Sequence, residues 1–196
     1  MLTSRKDGCF KVKSTSKKLF CALWLAAWAL TLPSEAATDM FLDLGADIPG
    51  ESKDPSHLNQ VDVLAWSWGM SNSGTTHVGG GTGVGKANFQ DLSLTKYVDK
   101  ASPKLMLQCA KGALIPTVTL FVRKSGLNAE YIKITLSNVL VSSVSTGGSS
   151  GEDRLTENVT LNFSVVTFDY VPTKPDGTAG ETVSFSWDIA GNIQPN

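Results

Sequence analysis

The sequence predicts a mainly β domain, a small antiparallel barrel or sandwich with one flanking helix, and three observations carry that expectation. From Asp39 onward apolar and polar residues alternate with period two, and the alternating runs are rich in β-branched and aromatic residues. Clusters of Gly, Ser, Asn and Pro bound those runs, as turn residues bound half-buried strands. Only one segment, Ser102 to Gly112, has helix formers throughout with start and stop signals at its ends. About seven strands and one helix suit a small closed or two-layered β architecture.

In chain order, Met40–Leu44 is the first strand, and Gly50–Ser56 is a polar connection with several turn formers. Val61–Met70 follows, with Leu64, Trp66 and Trp68 on one face and Val63, Ala65 and Ser67 on the other. Both faces are then apolar or small, so the strand is expected to be covered on both sides. Ser71–Gly85 reads as a long loop of Gly, Ser and Thr, and Ala87–Val98 as the next strand. The helix has Ser102 at its N-cap, Pro103 at its first helical position and Gly112 as its stop. Thr117–Lys124, Tyr131–Ser145, Glu157–Val171 and Thr182–Ile189 complete the strands. The second and third of these four are long, about 15 residues each against a usual 5 or 6. They flank the flexible connection Gly147–Asp153 and are expected to pair as an extended hairpin. Long edges with few protective residues imply pairing in trans, by neighbours in a closed ring.

The 196 residues are 41% hydrophobic and 18% charged, enough for one ordinary core. Residues 1–36 differ from the rest. Six basic residues precede an uncharged, mostly apolar stretch of 14 residues, Leu19–Leu32, and small residues at Ser34 and Ala36 follow. That stretch is short for a membrane span and has the length of a signal-peptide apolar region, with cleavage expected between Ala36 and Ala37. A start codon placed too far upstream is the competing explanation of the leader. Taking the leader's six basic and two acidic residues from the chain's 17 and 18 leaves 11 and 16, a net charge of −5 for the body 37–196. An acidic body without a basic stripe excludes nucleic acid as a partner. Cys9 and Cys21 fall in the leader, so the body keeps only Cys109, read as a small buried hydrophobe, and forms no internal disulfide.

Motifs that suggest chemistry stand in unsuitable settings. Gly80–Lys86 has the spacing of a phosphate-binding loop, but Ala87 replaces the Mg²⁺-binding Ser or Thr, and a strand follows where a helix is needed. Asn158-Val-Thr160 matches a glycosylation acceptor inside a strand. His57 and His77 lack ligand partners at metal spacing, and no triad order is present. The Glu152-Asp153-Arg154 cluster reads as a solvated or inter-subunit charge group. The chain is therefore expected to be no enzyme and to need no cofactor.

Several strings decide the family. Asp39-Met-Phe-Leu, Gly50-Glu-Ser-Lys-Asp54, Val61–Met70, Asp91–Tyr97, Val141–Gly148 and Gly151–Phe163 occur in order and without large gaps. Together, from about Asp39 to the C-terminus, they resemble the haemolysin-coregulated protein (Hcp) family of type VI secretion. The resemblance implies a two-sheet β-barrel with a flanking helix, a homo-hexameric ring, and stacked rings forming the inner tube that a contractile sheath expels. It also implies a spike protein at the tip and small effector proteins in the lumen. On this sequence it places Ser67 towards the lumen and Trp66 and Trp68 in the core. The glycines Gly74, Gly80, Gly81, Gly83 and Gly85, with Gly147, Gly148, Glu152 and Asp153, are candidates for contacts between subunits or rings. Export then runs through the secretion apparatus from a cytoplasmic pool, without stable membrane insertion of the body. A genuine leader would instead send the protein to the periplasm. The competing function is a monomeric secreted β-sandwich that binds ligands and is exported by the leader.

Overall fold

The protein is described as a computed structural model, covering residues 38–72, 86–124, 129–151, 153–174 and 176–195. The leader 1–36 lies outside these residues. Among the described residues ten strands and one helix follow one another: β1 (Thr38–Asp43), β2 (Val61–Ser67), β3 (Met70–Asn72), β4 (Ala87–Phe89), β5 (Leu92–Tyr97), α1 (Ser102–Lys111), β6 (Leu114–Lys124), β7 (Glu130–Thr146), β8 (Thr156–Asn162), β9 (Val165–Tyr170) and β10 (Val183–Asp188). Every pairing is antiparallel. The eight-stranded sheet runs β10-β9-β7-β6-β1-β2-β5-β8, and a further pairing of β8 with β7 closes its last six strands into a barrel. The mainly β fold with one helix is thus as the sequence predicts.

Closure depends on β7, a strand of 17 residues. Its first half, Ile132–Ser137, pairs with β9, and its second half, Leu140–Thr146, pairs with β8. Between them Asn138 adopts φ +52°, a left-handed conformation that Asn tolerates better than most residues. Its side-chain amide donates to Ser164 Oγ at 3.0 Å, tying the kink to the break between β8 and β9. The long run Glu157–Val171 is therefore two strands, interrupted at Phe163–Ser164, and the expected hairpin with β7 is bent. The long edges are also paired within the chain: β7 and β8 find their partners in their own barrel. Trans pairing is not needed to cover them.

Inside the barrel the alternating residues form one apolar cluster that includes Leu42, Val61, Val63, Leu94, Val118, Leu120, Ile134, Leu136, Val159 and Leu161. α1 joins it through Leu105, and Ala101 just before the helix does the same, both without solvent exposure. Burying a leucine fully is worth about 2 kcal/mol. The helix starts one residue earlier than the sequence suggested: Ala101 is the N-cap, and Ser102 lies in the first turn with Pro103. Gly112 ends it at φ +60°, as expected of a helix stop. The Ser102 hydroxyl is displaced from capping because it is used elsewhere. It donates to Glu157 Oε1 at 2.7 Å, inside a buried charge cluster centred on Lys96. The Lys96 ammonium, 1% exposed, lies 2.6 Å from Asp99 and 2.9 Å from Glu157, and donates to the Tyr97 carbonyl at 2.9 Å. One cation thus joins β5, β8 and the entrance to α1.

A strap, residues 50–60, covers the outer face of β1 and β6. Gly50 is required there because a Cβ would overlap the Gln60 carbonyl. The His57 ring stacks on Phe41 at 4.2 Å and tilts against Phe121 at 5.0 Å. Its Nδ1 is 2.8 Å from Gln60 Oε1, and its Nε2 is 3.3 Å from Glu130 without hydrogen-bond geometry. Arg123 lies over the Phe41 ring and forms a two-pronged pair with Asp54. The hydrogen bond from Arg123 holds the Asp54 carboxyl below the ordinary carboxylate range, aided by the Ser56 N–H and opposed by desolvation. Phe41 and Leu42 are both buried, one under the strap and one in the barrel.

Two outcomes follow from this packing. Lys96→Met strands two buried carboxylates, and urea unfolding is expected to show a loss of about 3–5 kcal/mol. Because the Asp54 value is depressed on folding, its contribution is present above the ordinary carboxylate range and is lost as pH falls through the folded value. Asp54→Asn should therefore lower stability at neutral pH and flatten the acid limb of a stability profile measured by thermal melts.

Candidate functional site

The strand around Ser67 solves a parity conflict by means of a bulge. Val61 and Val63 face the core, and unbroken alternation would carry Ala65 and Ser67 inward and Trp66 outward. The register slips between Val63 and Ala65, so Leu64 is an extra residue on β2, exposed at the surface. Beyond it Trp66 turns inward opposite Leu94, and Ala65 and Ser67 turn out. Leu64 therefore does not share a face with Trp66, as flat alternation implied. Trp66 and Trp68 are half-buried against the core, and Trp68 packs among Phe89, Phe163 and Phe168 at 6.3–6.5 Å. A second slip, between Val141 and Ser143 of β7, leaves Ser142 outside in the same way.

These slips align hydroxyls across four neighbouring strands. Ser67 pairs with Ser93, Ser93 with Thr160, and Thr160 with Ser143, which places all four side chains in one transverse row. Ala65, Thr95, Asn158 and Ser145 form the next row, where Thr95 Oγ1 donates to Asn158 Oδ1 at 2.8 Å. Both rows consist of hydroxyls, one amide and one methyl. The carboxylate beside them, Asp91, is engaged within the chain: it accepts from Ser142 Oγ and Asn162 Nδ2, each at 2.8 Å. At the other end Arg154 lies over the Tyr97 ring at 3.9 Å. The face offers donors and acceptors without net charge, suited to hydrogen bonding with another polar surface, and it has no paired acid and base.

Ser67 stands in the middle of this face, and sequence reasoning did not connect it with Ser93, Thr95, Ser143, Ser145, Asn158 and Thr160. Period-two alternation around Val159 contained the signal, but the pairing of β8 with β5 and β7 was needed to join the rows. Asn158, in the glycosylation triplet, is exposed on the face. Gly147, Gly148 and Asp153 lie at the exposed turn joining β7 and β8, away from Ser67 in sequence. A Cβ on Gly148 would press on the Leu155 side chain, whereas Gly147 has open space. Gly74, Gly80, Gly81, Gly83, Gly85 and Glu152 lie outside the described residues. Among the described residues no group of three His, Cys, Asp or Glu is placed to hold a metal, and no helix is long and apolar enough to cross a membrane.

The family profile described as "Type VI secretion system effector, Hcp" matches residues 41–170, most of the barrel. The chain belongs to the Hcp family of type VI secretion proteins. It is 58% identical over 161 residues to protein hcp1 of Pseudomonas aeruginosa, covering 81% of this chain and 99% of that one. A solved type six secretion system protein superposes with a TM-score of 0.75 at 32% identity, over 80% of this chain and 99% of the other. Hcp1 of Salmonella typhimurium gives 0.67 at 36%, over 81% and 99%. The Hcp barrel thus spans the body, and the relatives' length is covered almost completely. Since Ser67 and Ser93 are exposed, Ser67→Asp and Ser93→Asp are each expected to change unfolding free energy by less than about 0.5 kcal/mol. Denaturant melts check this, and unchanged stability would show that the fold does not depend on these two hydroxyls.

Proposed function

We propose that this Hcp protein is a structural subunit of the type VI inner tube, not an enzyme: copies close into hexameric rings, rings stack, and small effector proteins ride in the lumen. The observation that carries the lumen assignment is the uncharged double row around Ser67. A tube that must hold a cargo and later release it is served by many weak, neutral hydrogen bonds, each worth about 1 kcal/mol. The sheath and the spike protein are its other partners, and it is exported through the apparatus from a cytoplasmic pool. The Gly74–Gly85 loop, read from sequence alone, and the turn Gly147–Asp153 are assigned to contacts between subunits or rings. If the leader is a working signal, cells will contain a species whose first residue is Ala37, and the periplasm becomes its compartment.

Light scattering of the purified chain, with negative-stain imaging, is expected to give a sixfold ring. A monomer at high concentration would falsify this reading and favour the secreted binding module. In rings that form, Ser67→Asp together with Thr160→Asp should abolish co-purification of a lumen cargo while leaving ring mass unchanged. Gly81→Asp and Asp153→Lys should impair assembly with folding retained, as read by ring fraction and circular dichroism.

A further inference from the structure

Closing the barrel leaves the outer flank of β10 as an open side of the eight-stranded sheet. Three backbone hydrogen bonds define which groups point there. The Ile189 N–H donates to the Ser164 carbonyl at 2.9 Å, towards the β9 side. Asp188 instead exchanges bonds with Ile193, donating at 2.9 Å and accepting at 3.2 Å, on the far side. Alternation then turns the backbone of Phe185 and Trp187 to β9 and that of Ser184 and Ser186 outward. The C-terminal residues cover the edge at Asp188, and among the described residues no bridge reaches Ser184 or Ser186 from that side. Both serine side chains are engaged on β9: Ser184 Oγ donates to Asp169 at 2.6 Å, and Ser186 Oγ is 3.0 Å from Thr167 Oγ1. What remains free is main chain.

Edge strands are ordinarily blunted by Pro, Lys or a bulge. Val183-Ser-Phe-Ser-Trp187 has none of these, its register with β9 is unbroken, and Val183 is 64% exposed. Elsewhere on the molecule, β3 and β4 form a ribbon of three residues per strand that, among the described residues, pair only with each other. The stacking of Trp68 on Phe89 roots the ribbon, while Met70 is 53% exposed. A two-stranded ribbon is marginal until a third strand joins it.

We propose that the open flank of β10 receives the β3–β4 ribbon of a second copy of this chain, adding strands across the subunit boundary. The proposal rests on the ring reading above and names the surfaces that meet in it. Main-chain hydrogen bonds supply the affinity, as in other strand additions. Because the two surfaces differ, the contact is head-to-tail and propagates around a ring instead of ending at a dimer.

Ser186→Pro removes an outward N–H without touching a residue whose backbone bonds β9. In the full chain it should keep the β-sheet circular dichroism and cooperative unfolding, while the ring fraction falls about tenfold or more, each 1.4 kcal/mol of lost contact being a factor of ten. A second measurement does not depend on how Pro is tolerated. Chains carrying Ser184→Cys and Ser71→Cys, with Cys9, Cys21 and Cys109 changed to Ser in each, are co-expressed and oxidised. A disulfide joining one chain type to the other is expected, and neither type alone should give it. Rings of undiminished abundance from Ser186→Pro, or rings of the co-expressed Ser184→Cys and Ser71→Cys chains that never link, overturn the β10 contact and leave the tube reading standing. A wild-type chain that is monomeric by mass overturns both.

Discussion

The fold depends on one strand satisfying two neighbours on the same side. A regular β7 of 17 residues would present a single straight edge, and the sheet would remain open at β8. The kink at Asn138 divides that edge, so the first half carries β9 and β10 while the second turns to meet β8. Closure satisfies the backbone of β8 on both sides and confines the open flank of this sheet to β10. A single left-handed residue therefore determines both that a barrel exists and where it can still grow. Asn is one of the few side chains able to occupy that conformation at low cost, and here its amide also makes a hydrogen bond across the break.

Two polar devices hold what closure creates. The Lys96 cluster lies inside the apolar cage, where a lone charge would be prohibitive, and it is tolerated because Asp99, Glu157, Ser102 and the Tyr97 carbonyl surround the ammonium. Such clusters are poor sources of net stability but strong sources of uniqueness, since a shifted α1 or β8 would strand a charge. Outside the barrel the strap from Gly50 to Gln60 shields Phe41 and Phe121 and is fastened by Arg123 and Asp54. That pair is nearer water, so its charges are cheaper to hold and its contribution depends on pH.

The neutral rows around Ser67 follow from the same economy. Bulges at Leu64 and Ser142 keep Val61, Val63, Trp66 and Val141 facing inward while hydroxyls come into line outside. Charge was placed elsewhere: in the buried cluster, under the strap, and at Asp91, each of whose oxygens accepts a hydrogen bond from a neighbouring strand or its end. A face built this way is wettable yet weakly selective, because its groups offer neutral hydrogen bonds without a fixed charge.

The sequence by itself determined the class of the fold, the helix with its Gly112 stop, the approximate strands and the Hcp family, because alternation, caps and family strings are local patterns along the chain. It placed Ser67 on one side and the tryptophans on the other, yet grouped Leu64 with them, since a bulge has no local signature among apolar residues. Ser102 looked like a cap from its neighbours in sequence, whereas Glu157, fifty-five positions away, drew its hydroxyl inward. Glu157–Val171 read as one strand because alternation continues through Phe163–Ser164, and only the competition of β8 and β9 for β7 breaks it. Tertiary structure alone decided which edges are satisfied, which hydroxyls share a row and which charges are buried, because each is a property of pairing between segments distant along the chain.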